Sequence, residues 1–578
     1  MIIDMKRTAI TLLLIAVAAS AEAQSMYDAL RYSENNYEGT ARTMAMGNAF
    51  TALGGDLGSV NINPAGSAVA RYSQVTITPG VAVSVSTAGG TSSDYFSKSY
   101  RTPMGRFNLP NIGFSVNFDT NMSYGIKNWS MGFTVNRTNT YQDDMFTKGL
   151  NSTTSFAGAM ATFAAGINVN DLILANDGSY DPYYDSNIPF DVILAFESGI
   201  ISDIYNDRGT EDVSDDWTTG LDYAGVTENY YEKDPSAGTG EIDIEKIGLN
   251  GNTINQIYSR RITGYKYDYV FNWAANISDV VYIGANLGIT SLSYNQEYYI
   301  KENSGGDASD YSLFQTQFNS LRYNNLYSAT GVGVYGKFGI LVTPGNGLRL
   351  GAAIQTPTAT TIRERWSANA SVTTYSDSYG NGDAETPESS YQYELRSPFR
   401  FNVGAAYTFG SFAVVSADYE MANYRGMYIH ESETNDNSNF DAVNSSIKER
   451  MGVSHMFRAG VEIKPFSSLA VRAGYGLTTS PEKLYNESGS LEYSHQLARK
   501  PLTAMTHRFA AGLGYSSSGS FFADLAVQAT RYADEYIYPY DYYLLNGNDV
   551  VIDYSKNTPE ILNRRWLVNI LLTVGFRF

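Results

Sequence analysis

Arginines and carboxylates that share one side of strand-like stretches are the residues here best placed to do chemistry. Alternation puts Arg400, Arg458, Arg472, Arg508, Arg565 and Arg577 on the same side as Asp418, Glu420, Glu462 and Asp524. Charges taken out of water must be paired, so one expectation is an arginine–carboxylate network that stiffens a wall. Arg458 and Arg508 carry a second, ligand-binding one, because a planar guanidinium holds a carboxylate with two hydrogen bonds. The four histidines, His430, His455, His495 and His507, show no serine–histidine–aspartate spacing, so no enzymatic activity is expected. Asp177, Asp181 and Asp185 match no calcium loop, and solvated charge is expected there rather than a metal. No phosphate-binding GxxxxGK[ST] occurs, and no cofactor is expected. One His or Tyr can ligate a haem, so the 46 tyrosines leave haem or an aromatic hydrocarbon open as ligands.

Over the whole chain of 578 residues, 40 basic against 59 acidic side chains give a net charge of −19, which argues against a nucleic-acid partner. The absence of cysteine excludes disulfides, thiol catalysis and cysteine-based metal centres. At the start, Lys6 and Arg7 precede an apolar run from Ala9 to Ala19, and Ala21-Glu22-Ala23 ends it. That is the pattern of a signal peptide over 1–23, with the mature chain starting at Gln24. No later run is apolar enough for a membrane helix.

A barrel of alternating strands enters a membrane without long apolar runs. Trp566, Val568, Ile570, Leu572, Val574, Phe576 and Phe578 share one face of the last stretch, with Arg565, Asn569, Thr573, Gly575 and Arg577 on the other. An aromatic C-terminus on such a strand suits the outer-membrane barrel-assembly machinery as a partner. The pattern predicts strands at 74–85, 106–118, 129–141, 264–277, 280–297, 325–342, 347–365, 398–409, 412–423, 456–465, 469–478, 507–515, 521–530 and 564–578. Short connections alternate with long ones, as an up-and-down barrel with turns on one side and loops on the other requires. The fold class is therefore an all-β, 14-stranded antiparallel transmembrane barrel, spanning 73–578, in the bacterial outer membrane.

The segment before the first strand does not alternate. Residues 39–72 are rich in Gly, Ala and Asn and run from Gly47-Asn48-Ala49 to Asn61-Ile62-Asn63-Pro64-Ala65-Gly66. With the later blocks RLGAAIQTPT, SPFRFNVGAAYTF, VVSADYE, FRAGVEIKP, LAVRAGYGLTTSP and THRFAAGLGY, this chain resembles the FadL family of outer-membrane long-chain fatty acid transporters. The resemblance implies that residues 24–72 form a hatch inside the lumen. Gly47, Asn48, Asn61, Asn63, Pro64, Ala65 and Gly66 belong to its gate. It further implies that a hydrophobic ligand, captured outside, passes an inner pocket and leaves sideways through a gap in the wall of a monomeric, passive channel set in outer-membrane lipid. The pattern of 129–141 shows no break that would locate the gap.

Between the third and fourth strands, 142–263 reads as a partly helical extracellular insertion, longer than the family leads one to expect. Phe156, Met160, Phe163 and Ile167 recur at helical spacing, as do Val192, Ile193, Phe196 and Ile200 after Pro189. These faces either pack on each other as a cap or form a greasy groove in which Phe156, Met160 and Phe163 make the first ligand contact. Inward glycines Gly284, Gly288, Gly404, Gly474, Gly512 and Gly575 are expected where the hatch docks. The competing reading from another class is a surface adhesin or antigen that transports nothing.

Overall fold

The computed structural model describes residues 25–204, 222–232, 235–236, 242–243, 246–304, 310–376, 379–432, 438–541, 544–546, 549–551 and 558–578; the signal segment lies outside them. Period-2 alternation gives each strand one apolar and one small or polar face, so strands pair side by side into a single antiparallel sheet. The wall strands are β1 (Gln74–Gly90), β2 (Tyr100–Asp119), β3 (Ile126–Thr140), β4 (Ile254–Ile277), β5 (Val281–Ser304) and β6 (Phe318–Gly345). They continue as β7 (Leu348–Gln355, resumed at Ala359–Thr374), β8 (Ser389–Arg396, resumed at Arg400–Phe409) and β9 (Ala413–Asn423, resumed at Tyr428–Glu431). The rest are β10 (Val453–Phe466), β11 (Leu469–Thr479), β12 (Met505–Ser516), β13 (Phe521–Arg531, resumed at Glu535–Ile537) and β14 (Ile561–Arg577). β14 returns to β1 in register from Gln74↔Arg577 to Gly90↔Ile561, which closes a 14-stranded barrel.

Hairpins at one end are tight. Ser278 (φ 57°) and Asp279 (φ 61°) turn β4 into β5, and Asn346 (φ 53°) with Gly347 (φ 83°) turns β6 into β7. Left-handed residues match the twist of paired strands, and Asn, Asp and Gly adopt that conformation at low cost.

The wall is taller than alternation of apolar residues indicates. β4 begins at Ile254 rather than at 264, because its outer part pairs polar positions with inward tyrosines such as Tyr258, and that contrast is weak in sequence. The segment Asp143–Asn151 also joins the sheet, on β4, from Asp143↔Ile262 to Asn151↔Ile254. The insertion proper is therefore 152–253 and not 142–263. β7 is interrupted at Thr356-Pro357-Thr358, where a residue without an N–H ends the ladder.

Two separate cores result. Inside the barrel lie α1 (Met26–Ser33), half of whose residues are buried, and α2 (Ala41–Ala45) with the 3-10 turns Leu57–Asn61 and Pro64–Val69, which are nearly all buried. Above the rim, α3 (Phe156–Ala164), capped by the Ser155 hydroxyl accepting from the Gly158 N–H at 2.9 Å, packs with α4 (Phe190–Glu197) over Phe314, Phe318 and Tyr540.

Candidate functional site

The outer face of the wall decides what surrounds it. Val75, Ile77 and Val81 of β1, Ile112, Phe114 and Phe118 of β2, Val332, Val334 and Phe338 of β6, and Ile570, Leu572 and Phe576 of β14 are all exposed. So large a continuous apolar surface has no place in water, and pairing around the barrel satisfies most of the wall's backbone groups within the sheet, as hydrocarbon requires. Aromatic rings edge the belt: Phe118 stacks on Trp129 at 4.2 Å near the tight turns, and Tyr265, Tyr269 and Trp566 stand toward the loops. The protein is a transmembrane β-barrel. No helix among the described residues is long and apolar enough to span a membrane, and the strands are what cross it.

The lumen of this barrel is filled. Asn63 caps the turn that Pro64 starts: its side-chain oxygen accepts from the Ala65 N–H at 3.1 Å, and its amide donates to Thr51 O at 2.6 Å and Ile340 O at 3.1 Å. Asn61 accepts from the Tyr335 hydroxyl at 3.0 Å and donates to Asp268 at 3.3 Å, and the Lys337 ammonium donates to its carbonyl at 2.7 Å. Gly47 (φ 63°) and Asn48 (φ 61°) make a left-handed corner in which the Asn48 amide donates to Tyr37 O at 2.7 Å. A Cβ at Gly474 would stand 2.1 Å from the Gly47 nitrogen, and one at Gly66 2.9 Å from the Gly54 Cα, so backbones touch where side chains are missing. Gly284, Gly404 and Gly512 likewise meet Pro64, Thr51 and Ala45. Gly288 and Gly575, expected at the same contact, instead lie under the rings of Tyr335 and Phe522.

Most of the predicted charges belong to two clusters. Arg472 reaches Glu462 at 2.6 Å and Asp524 at 2.5 Å, and Arg42 of the plug joins Glu462 at 2.9 Å. Asp418 accepts from the Thr51 N–H at 2.8 Å, and Glu420 lies 3.1 Å from both Arg400 and Arg458. Arg458 is thus buried among carboxylates. Arg508 differs: it donates to Thr478 at 2.7 Å and to Asn36, and has no ion-pair partner among the described residues. Those two partners line a cavity of about 30 Å³ with Glu34, Arg400, Ser454 and Met456.

Between β2 and β3 the wall opens. Their pairing runs from Asp119↔Asn128 to Asn111↔Asn136 and stops, although β1 holds β2 up to Tyr100 and β4 holds β3 up to Thr140. β2 carries Pro103 and Pro110 beyond the break, and proline is tolerated at a free edge. β3 carries Arg137 where Trp129, Met131, Phe133 and Val135 set a lipid-facing parity; a register shift at Arg137/Asn139 turns it inward to a buried ion pair with Glu38. The plug takes up the vacated edge: the Asn36 N–H donates to Thr138 O at 2.5 Å and the Glu38 N–H to Arg137 O at 3.2 Å. Farther out, Gln142 donates to Met104 O at 2.7 Å, and Ser86 meets Asp143, so the strand has stepped behind the face of β1 and β2. The sequence holds two signals of this seam that strand counting passes over: an arginine on a lipid-facing parity, and two prolines in one strand.

The greasy groove is not formed by its expected residues. Phe156 is buried against Tyr323, with ring centroids 4.9 Å apart, and Met160 is buried beside it; only Phe163 is partly open. Each helix is too apolar to stand alone in water, so the two faces close on one another and on the rim. The Phe156 N–H donates to Glu302 at 2.6 Å, which fixes α3 to β5. At α4, Asp191 accepts from the Tyr323 hydroxyl at 2.7 Å, and burial pushes its carboxyl above the ordinary range. Of the histidines, His455 faces the Tyr419 hydroxyl at 2.7 Å and His507 that of Tyr475 at 2.9 Å.

No protein-family model and no curated protein matches the chain. Among solved structures, it is similar to a Pseudomonas aeruginosa FadL homologue (TM-score 0.47, 9% identity, 94% of this chain and 98% of that one). The toluene transporter TodX of P. putida gives 0.45 at 12% identity, covering 94% and 99%, and the Ralstonia pickettii toluene transporter TbuX 0.43 at 13%, covering 94% and 99%.

Proposed function

We propose that this barrel passively carries hydrophobic small molecules, long-chain fatty acids among them, across the bacterial outer membrane, and that they leave the lumen sideways between β2 and β3. The observation that carries this reading is the conjunction of a lumen blocked along its axis with a wall unpaired at the height of the lipid belt. A polar solute gains nothing from an exit into hydrocarbon, whereas an apolar one does. The N-terminal segment 24–72 is the hatch, held by Gly47, Asn48, Asn61, Asn63, Pro64, Ala65 and Gly66. Of the two candidate arginines, Arg508 suits an acid head better than Arg458, because it has no carboxylate partner of its own and its partners line the small cavity. The chain works as a monomer, placed by the barrel-assembly machinery.

The absence of cysteine makes the test clean. A Cβ at Gly105 on the free edge of β2 meets no atom within 4 Å, so Gly105→Cys is accommodated. Treating cells that express this variant with a bulky methanethiosulfonate reagent should cut oleate uptake severalfold, and a reductant should restore it. Full uptake with the reagent in place would dismiss the sideways exit.

A further inference from the structure

We infer that Arg106 makes the seam an exit selective for charge: its guanidinium receives the acid head of departing cargo, so carboxylates pass more readily than neutral molecules of the same length. This rests on the sideways exit proposed above. Arg106 pairs with Ala82, which is fully buried, so its side chain leaves β2 on the lumen side. Its neighbours on that side, Met104 and Asn108, are buried at 7% and 8%, yet Arg106 is exposed. The position adjoins the break in pairing with β3, and the next residue, Phe107, is 75% exposed on the lipid side. An open seam explains an exposed side chain on an inward-facing position of a filled barrel.

The charge has no other assigned use. No carboxylate lies within ion-pair distance of Arg106 among the described residues. Of the acids at the seam, Glu38 is committed to Arg137 in a buried pair that is neutral as a whole, and Asp143 to Arg260. A lone guanidinium at the height of the lipid belt is costly unless an anion or water satisfies it. A carboxylate moving from the lumen into hydrocarbon faces the same cost in the opposite sign. Bringing the two together at the seam lowers both, through a two-point hydrogen-bonded contact that a neutral hydroxyl does not match. Arg101, farther out on β2 and on the lipid-facing parity, is the natural control.

The test compares oleate with oleyl alcohol, which has the same chain and no charge, in phosphatidylcholine vesicles holding the purified full-length barrel. Arg106→Gln should lower oleate transfer about tenfold, as expected for losing a charge-assisted contact, and leave oleyl alcohol unchanged. Arg106→Lys should retain part of the preference, and Arg101→Gln should alter neither. Equal loss of both molecules, or no loss of oleate, would overturn the role of Arg106. Wild-type protein that transfers neither molecule would instead overturn the transport reading itself. If the charge preference appears only when anionic glycolipid is added, Arg106 serves a membrane headgroup rather than cargo, and the inference fails.

Discussion

Two seams flank the first hairpin of the wall, and they behave oppositely. β1 and β14 come from the two ends of the barrel, yet they stay in register from Gln74↔Arg577 to Gly90↔Ile561. β2 and β3 are joined by a tight connection, yet they part above Asn111↔Asn136. Closeness along the chain therefore does not set where the wall is continuous. Edge chemistry alone does not set it either: the closing seam keeps its pairing past Pro79 of β1 and past Arg564 on the lipid-facing parity of β14, whereas the other parts where β2 carries Pro103 and Pro110 and where Arg137 of β3 turns inward to Glu38. The difference is the buried partner: Arg137 has Glu38 of the N-terminal segment to turn to, whereas Arg564 stays exposed on the wall.

Three substitutions would break or sharpen that contrast, beginning with the largest effect. The buried pair of Glu38 and Arg137 lies on the open seam. Arg137→Met leaves a carboxylate alone in a dry site, at a cost of about 3–5 kcal/mol. Hydrogen exchange at Asn36, Glu38 and Thr138 should accelerate accordingly, with the double change Glu38→Gln/Arg137→Met recovering much of the protection. If protection is unaltered in the single variant, the pair does not hold the plug to β3. Next, Ile570→Pro on the closing seam removes a ladder bond from a strand paired on both sides and leaves the acceptor unsatisfied, at a cost of about 1–3 kcal/mol. The readout is a lower temperature at which the folded band disappears in a heat-modifiability gel; an unchanged temperature would mean that this seam is no tighter than the other.

The smallest effect concerns the cap, which should be indifferent to both seams. The Asp191 carboxyl titrates above its unfolded value because it is buried. Stability from its protonated form is therefore complete below the unfolded value and is lost as pH rises through the folded one. The cap should loosen between acid and neutral pH, read as faster proteolysis of the insertion. Asp191→Asn should flatten that dependence and leave exchange at Thr138 unmoved; a shift at Thr138 would show that cap and seam are coupled.

Much of this molecule is legible residue by residue. Period-2 alternation is a local property, so the fourteen strands, the tight turns and the lipid-facing side of β14 follow from sequence, as does the close docking at Gly284 and Gly474. The inward charges follow too, since parity assigns Arg472 and Glu462 to the same side before any pairing is known. Height is less legible. The outer parts of β4 and β5 set tyrosines against polar residues, a contrast too weak to separate strand from loop, and Asp143–Asn151 was hidden in what reads as an insertion.

What sequence alone determined, then, is the class of fold and the side on which most wall residues stand. Only the tertiary structure decided which partners those residues found. Alternation says nothing about whether the neighbouring strand is present, because a hydrogen-bonded edge and a free one carry the same side chains. The seam between β2 and β3, the inward turn of Arg137 to Glu38, and the closing of Phe156 and Met160 into a core instead of a groove all depend on groups distant along the chain. Burial and backbone pairing are properties of the assembled barrel, and the exposed position of Arg106 exists only because that assembly leaves one edge unpaired.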